Sequence, residues 1–279
     1  MVERLAWCAM AILVSHVVQA DETCRYSGTA SYSGRIAVDT KASEANGETT
    51  VDVAARVNAR MFGIIDWQYL YQEIGTWRAG ELQTIGVNHR YGVIGAIRRQ
   101  QWDVFNRTPD GLTAYRVQAR TLADFRAKHP GFVRHWDPGS FGEPWLPDYA
   151  SAPPERRGDL DLPATEMPPG LGTPLLLAFF WVRWAGDRDR EVPVFLPGFK
   201  HNSRVDARVA TLGIQADGLL HLRSSVRHPQ LSETKVSTGD AWISPDHHLV
   251  RVTFDARGEH GSAQGGLRLD GCQGQPPAL

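Results

Sequence analysis

Short segments that alternate apolar and polar residues, separated by turn-forming pairs, run through most of this chain. Alternation with a period of two residues is typical of half-buried β-strands. Asn46-Gly47 supplies the two residues that a type I′ hairpin turn favours, and Pro109-Asp110-Gly111, Asp217-Gly218 and Pro245-Asp246 mark further turns. Long helical periodicity is absent from the sequence. The pattern therefore predicts a mainly β protein with a large antiparallel sheet that is strongly curved or closed.

The middle of the chain departs from this pattern. Residues 121–129 begin with a Thr cap and end before Pro130-Gly131, which predicts a short helix. Residues 130–174 contain ten of the seventeen prolines, and proline lacks the N–H group that a sheet ladder needs. The same stretch is rich in aromatic residues, so we interpret it as an ordered excursion packed over the sheet. The apolar residues 175–182 that follow predict a buried strand.

The first twenty residues have the pattern of a signal peptide. Arg4 precedes an apolar run over residues 5–14, and Val18-Gln19-Ala20 fits a cleavage site. This run is shorter than the roughly 20 residues that span a bilayer. We therefore predict a signal peptide at residues 1–20 and a single β domain at residues 21–279, in the periplasm or secreted.

Net charge and hydropathy limit the partners of the mature chain. The formal net charge is −1, whereas nucleic-acid binders normally carry a basic stripe, so no nucleic-acid partner is predicted. After signal cleavage no apolar stretch approaches the length of a membrane span. No phosphate loop or dinucleotide fingerprint is present, and we predict no cofactor.

Two cysteines remain after the predicted cleavage. Cys24 and Cys272 lie near opposite ends of the mature chain. In an oxidising compartment this arrangement suggests a disulfide that ties the two ends together, and two unpaired thiols are the alternative.

Histidines give little support for a metal site. His247 and His248 are neighbours, and successive residues of a strand point to opposite faces, so the two rings cannot easily bind one ion. We predict turn histidines in solvent and no metal. The serine-hydrolase and zinc-protease motifs are also absent, which leaves open whether the protein is an enzyme.

Carboxylates among the aromatic residues of the excursion are the strongest candidates for chemistry. Glycan cleavage uses two carboxyl groups, and flat aromatic side chains stack on sugar rings. The candidate acids are Asp137, Glu143 and Asp148, and the candidate ligand-binding aromatics are Trp136, Trp145 and Tyr149. Alternatively, these aromatics anchor a long loop and the acids are solvated. Glu73 and Asp103, on predicted strands, are second-rank candidates that we expect to be exterior charges.

Three segments carry a resemblance to a known group of proteins. They are WRAGEL at residues 77–82, LPAT at residues 162–165 and WISPDHHLVRVTF at residues 242–254. Together they resemble a large group of exported bacterial β proteins of unknown function, similar in outline to periplasmic lipoprotein carriers. The resemblance implies a signal peptide and a wrapped antiparallel sheet. The group has no agreed catalytic residues, so it implies none here.

Two functions compete on this evidence. The leading hypothesis is an envelope protein that binds an apolar or amphiphilic molecule in the concavity of a curved sheet. The alternative is a periplasmic carbohydrate-active enzyme that cleaves an envelope glycan beneath residues 130–174. A structural partner in envelope assembly is a third interpretation. An apolar lining of the sheet would favour the first, and clustered acids and tryptophans the second.

Overall fold

The computed structural model describes residues 21–31, 34–61, 65–93, 96–118, 155–167, 171, 173–179, 189–196, 203–227, 236–258, 261–275 and 277. The predicted signal peptide and the predicted helix at residues 121–129 lie outside this part of the chain. The strands are β1 (Asp21–Ala30), β2 (Gly34–Ala45), β3 (Glu48–Met61), β4 (Ile65–Arg78), β5 (Glu81–Val93), β6 (Ala96–Thr108), β7 (Gly111–Gln118), β8 (Glu155–Arg156), β9 (Leu162–Pro163), β10 (Arg190–Leu196), β11 (Ser203–Ile214), β12 (Leu220–Arg227), β13 (Val236–Ile243), β14 (Leu249–Gly258) and β15 (Gly261–Gly274).

All fifteen strands belong to one antiparallel sheet, as the sequence predicts. The strand order is β10-β11-β12-β13-β14-β15-β1-β2-β3-β4-β5-β6-β7-β8, and β9 pairs with β7 beside β8. The first strand therefore lies in the middle of the sheet, between β2 and β15, while β10 and β8 form its two ends. The sheet is open, and of the two predicted alternatives, curved or closed, the curved one is confirmed.

The hairpin turns follow from their local sequence. Asn46 and Gly47 have φ angles of 55° and 72°, which is the left-handed pair that a type I′ turn requires. Ala79 and Gly80 adopt the same pair, with φ angles of 51° and 75°. The predicted turn at Asn46-Gly47 is confirmed, and the two turns set the register of β2 with β3 and of β4 with β5.

We call β1–β9 one arm of the sheet and β10–β15 the other, and the curvature of the sheet brings both arms around one core. Val51 and Phe105 from one arm belong to the same buried apolar cluster as Leu222 and Leu249 from the other. Tyr26 of the central strand is fully buried within this cluster. Because side chains from distant strands share one core, the sheet is curved and this core lies on its concave face.

The predicted disulfide is present and lies at the junction of the two arms. Cys24 of β1 is bonded to Cys272 of β15, and their Cα atoms are 4.1 Å apart. The two residues are also direct partners in the β1–β15 register. The bond therefore joins two cysteines that are 248 residues apart in sequence.

The predicted buried strand at residues 175–182 is wrong. Residues Pro174–Phe179 form a short helix, α1, and residues 180–182 lie outside the described part. Thr173 precedes Pro174, and proline is favoured at the first position of a helix because its missing N–H has no intrahelical partner there. The helix packs on β3, β4 and β10, and its Phe179 ring meets Tyr26 edge-on at 5.3 Å between centroids. It therefore lies on the concave face. No helix among the described residues is long and apolar enough to cross a membrane.

A glycine in β4 allows α1 to lie close to the sheet. A Cβ atom at Gly75 would lie 2.2 Å from the Trp77 ring and 2.9 Å from a Leu176 methyl. The Trp77 indole N–H also donates to the Leu171 carbonyl at 3.4 Å. The tryptophan and the helix therefore occupy space that a side chain at position 75 would fill.

Candidate functional site

Three charged side chains, Glu73, Asp103 and Arg116, lie in one row across the strands on the concave face. Glu73 and Asp103 were expected to be exterior charges, and this expectation is wrong, because both are fully buried. The strand registers align Val53, Glu73, Val87, Asp103 and Arg116 as successive partners from β3 to β7. The two acids are therefore separated by one strand, on the same face as α1.

Arg116 neutralises the buried Asp103 carboxylate. Its Nε lies 2.6 Å from Asp103 Oδ1, and one of its terminal nitrogens lies 3.2 Å from Oδ2. Two parallel charge-assisted hydrogen bonds of this kind are strong and fix the orientation of both groups. This pair explains how a carboxylate is kept inside the sheet despite its desolvation cost.

Glu73 instead binds the beginning of helix α1. Its Oε2 accepts hydrogen bonds from the Leu176 N–H at 3.2 Å and from the Thr173 hydroxyl. The first N–H groups of a helix have no intrahelical acceptor, and Glu73 supplies one from β4. The Tyr71 hydroxyl, on the same face of β4, forms a further hydrogen bond with Glu73. Glu73 thus links the sheet to the helix.

Two tyrosines extend the polar row along β4. The rings of Tyr69 and Tyr71 lie 6.2 Å apart between centroids and are nearly parallel, at 8°. Burial raises the pKa of both phenols above the usual value, and the negative charge of Glu73 raises the pKa further. Both hydroxyls are therefore protonated at neutral pH, and the Tyr71 O–H donates to the Glu73 carboxylate.

The concave face is tightly packed at one end of β3 and only partly covered at the other. Val51 and Val53 are buried, whereas Ala55 and Val57, further along the same face, are only half-buried. Their partners on β4 are Tyr71 and Tyr69, which are also half-buried. We call Ala55, Val57, Tyr69 and Tyr71 the tyrosine patch. It offers apolar area with hydroxyl groups beside a charged row.

His248, which the sequence predicts to lie in solvent beside His247, instead contacts two acidic side chains. Its Nδ1 lies 2.8 Å from Asp246, and its Nε2 lies 3.2 Å from Oε1 of the buried Glu22. A hydrogen bond from Ser244 lowers the pKa of the Asp246 carboxyl most, and a hydrogen bond from His248 lowers it further. His247 is exposed, with a φ angle of 63°. The β13–β14 turn is therefore attached to β1 rather than free.

Glu22 also lies beside the disulfide. Its carboxylate and the sulfur atoms of Cys24 and Cys272 all lie within 4.8 Å of one another. Cysteine binds metal as a thiolate, and these two sulfurs are bonded to each other. This cluster is therefore a structural part of the junction between β1 and β15.

The sequence predicts six site residues in the excursion, three acids for glycan cleavage and three aromatics for ligand binding. Trp136, Asp137, Glu143, Trp145, Asp148 and Tyr149 all lie outside the described residues. Their roles stay predictions. Glu73 and Asp103, the second-rank acids, each hold other protein groups, which are α1 and Arg116.

The sequence of β4 contains a signal for the concave site. Tyr69, Tyr71, Glu73, Gly75 and Trp77 alternate along β4, so one face of the strand contains all five. Since Trp77 belongs in the core, a period of two places Glu73 inside as well. The partners of Glu73, however, come from residues about a hundred positions away, which periodicity does not indicate.

Comparison with known proteins adds a relative in fold. No protein-family model and no curated protein matches the chain. Among solved structures it is similar to a β-barrel-like protein of a domain of unknown function, DUF1849, from Brucella abortus. The TM-score is 0.54 at 7% identity, over 91% of this chain and 97% of that one. The likeness supports the large β-sheet architecture and, at this identity, does not extend to function.

Proposed function

We propose that the protein is exported and binds an amphiphilic molecule on the partly covered end of its concave face. The observation that carries the proposal is the tyrosine patch, where the packed lining of the sheet becomes half-buried. The apolar part of the ligand contacts Ala55, Val57 and the faces of the tyrosine rings. Its polar end donates hydrogen bonds to the phenol oxygens, because the Tyr71 O–H already donates to Glu73.

The surroundings of the patch fit such a ligand. Sites for small molecules are concave and mostly apolar, with a few placed polar groups. The lining nearby is apolar and includes the buried Ile36 and Val38 on β2, which are partners of Val57 and Ala55. The signal-peptide pattern, and the sequence resemblance to exported β proteins similar in outline to periplasmic lipoprotein carriers, favour an envelope location and a lipid-like ligand.

Binding can be measured with the mature chain, residues 21–279. The protein is purified without detergent, extracted with organic solvent and analysed by mass spectrometry for bound lipid. In parallel, a fluorescent fatty acid is titrated into delipidated protein and displaced by unlabelled lysophospholipid. We expect saturable binding of the probe and displacement by the lipid.

One pair of variants tests whether the ligand binds on the concave face or elsewhere on the sheet. Val57→Asp places a charge in the tyrosine patch, and desolvating a charge is costly, so we expect at least about tenfold weaker binding. Asn58→Asp adds the same charge to the adjacent exposed residue, which points to the opposite face, and should bind normally. Absence of probe binding by the wild-type chain, or equal loss in both variants, would contradict the proposal.

A further inference from the structure

Two arginines oppose each other directly on the convex face. Arg251 of β14 and Arg268 of β15 are partners in the strand register. The next pair along, Val252 and Leu267, is buried in the core, so both arginines point outward. Like charges directly opposite on neighbouring strands destabilise a sheet. The pair therefore costs stability unless something else compensates it.

The structure describes no acidic partner for either arginine. Among the described residues, Arg25 pairs with Asp39 and Arg223 with Asp240 on the same face, at 3.3 and 2.9 Å. The nearby Asp270 accepts a hydrogen bond from Ser27 at 2.7 Å, and Asp255 accepts one from Gln264 at 3.1 Å. The local acids therefore serve other groups.

Arg251 is held in place by a stack of side chains. Its guanidinium carbon lies 3.8 Å from the centre of the Trp242 ring, a cation–π contact. His221, on the other neighbouring strand, stacks on the same indole at 4.4 Å and 11°. Asp240 fixes His221 through a 2.8 Å contact to Nε2. The Trp242 ring is thus clamped, and the cation resting on it is pre-positioned.

One edge of this cation is desolvated. The Arg251 Nε atom is buried and has no hydrogen-bond partner in the described structure. A buried polar atom without a partner is uncommon in native proteins. A negatively charged acceptor placed between Arg251 and Arg268 would offset the repulsion between the two positive charges.

We propose that Arg251 and Arg268 form a binding site for an oxyanion of the phosphate class. Planar guanidinium groups bind phosphate oxygens through paired hydrogen bonds, which suits two arginines facing one another. The phosphate is either a free anion or the headgroup of a lipid. The site lies on the convex face and is therefore independent of the tyrosine patch.

Calorimetry with inorganic phosphate at low ionic strength tests the site. We expect wild-type binding to weaken at least about tenfold in both Arg251→Gln and Arg268→Gln, since each variant removes charge-assisted hydrogen bonds. Arg25→Gln is the matched control, because it removes one exposed charge from the same face. It should bind phosphate as the wild type does. Arg268 is exposed, so its variant tests the site even if Arg251→Gln fails to fold.

A second measurement identifies the source of the phosphate. Vesicles of phosphatidylcholine alone and with added phosphatidic acid, which carries an exposed phosphate group, are sedimented with the protein. Binding only to the acidic vesicles, lost in Arg268→Gln, assigns a lipid headgroup, whereas calorimetric binding without sedimentation assigns a free anion. No phosphate binding in either measurement, or equal weakening in Arg25→Gln, would overturn the site. Val57→Asp should leave phosphate binding unchanged, so failure of one proposal is distinguishable from failure of the other.

Discussion

Replacing Glu73 with leucine should destabilise the protein strongly, because the carboxylate holds helix α1 on the sheet. Leucine has a similar size but leaves the Leu176 N–H and the hydroxyls of Thr173 and Tyr71 without their acceptor. Each buried group without a partner costs about 1–3 kcal/mol. Removing the buried charge recovers part of that cost. We therefore expect a loss of about 3 kcal/mol in the free energy of unfolding.

Urea unfolding monitored by far-ultraviolet circular dichroism measures this loss. With a urea m-value of about 3 kcal/mol/M, the midpoint should fall by about 1 M. Glu73→Gln should lose less, because its amide oxygen still accepts the Leu176 N–H. Glu48→Gln is the control, since Glu48 pairs with the largely exposed Arg78 and such surface pairs contribute at most about 1 kcal/mol. If Glu73→Leu unfolds at the same urea concentration as Glu48→Gln, Glu73 does not secure the helix.

Three further predictions concern the disulfide, the two tyrosines of the tyrosine patch and the signal peptide. Replacing Cys24 and Cys272 with serine should lower the melting temperature, since chain entropy assigns up to about 5.5 kcal/mol to a loop of 248 residues; an unchanged melting temperature would contradict this. Tyr69 and Tyr71 should ionise above the usual pKa of 10.0, in an absorbance titration of tyrosinate. Because folding raises these pKa values, the contribution of the two phenols to stability is complete below pH 10 and is lost as the pH rises through the raised values. If all seven tyrosines of the folded protein ionise with the usual pKa of 10.0, this prediction is refuted. Periplasmic protein should begin at Asp21, and a cytoplasmic product that begins at Met1 would exclude export.

Local sequence chemistry predicts the hairpins of this fold but not the order of the sheet. Asn46-Gly47 specifies its turn because two left-handed residues are needed there. The position of β1 between β2 and β15 depends on pairing between segments at opposite ends of the chain. Cys24 and Cys272 are the sequence feature that bears on it, and their bond lies within that pairing. Helix α1 was missed because a short apolar run fits a strand as well as a helix, and Thr173-Pro174 was the distinguishing signal.

The candidate site is harder to predict because its charges are compensated by distant residues. An exterior position is the sequence-based expectation for Glu73 and Asp103, since an uncompensated carboxylate is expensive to bury. Arg116 is thirteen residues from Asp103 and becomes its partner only through the β6–β7 register. Leu176 is 103 residues from Glu73. A strand pattern shows which face a residue occupies, but the acceptability of a charge there depends on the three-dimensional partners.

Helix α1 determines how much of the concave face remains for a ligand. A six-residue helix is about 9 Å long, and Leu176 of α1 rests on β4 opposite Gly75. Glu73, two residues before Gly75 on the same face of β4, binds the beginning of the helix through the Leu176 N–H. The half-buried residues begin at the following row, with Tyr71 and Ala55. Glu73 therefore marks the boundary between the packed and the partly covered concavity. Under the proposed function, Glu73→Leu should disturb ligand binding as well as stability, whereas Asn58→Asp should change neither.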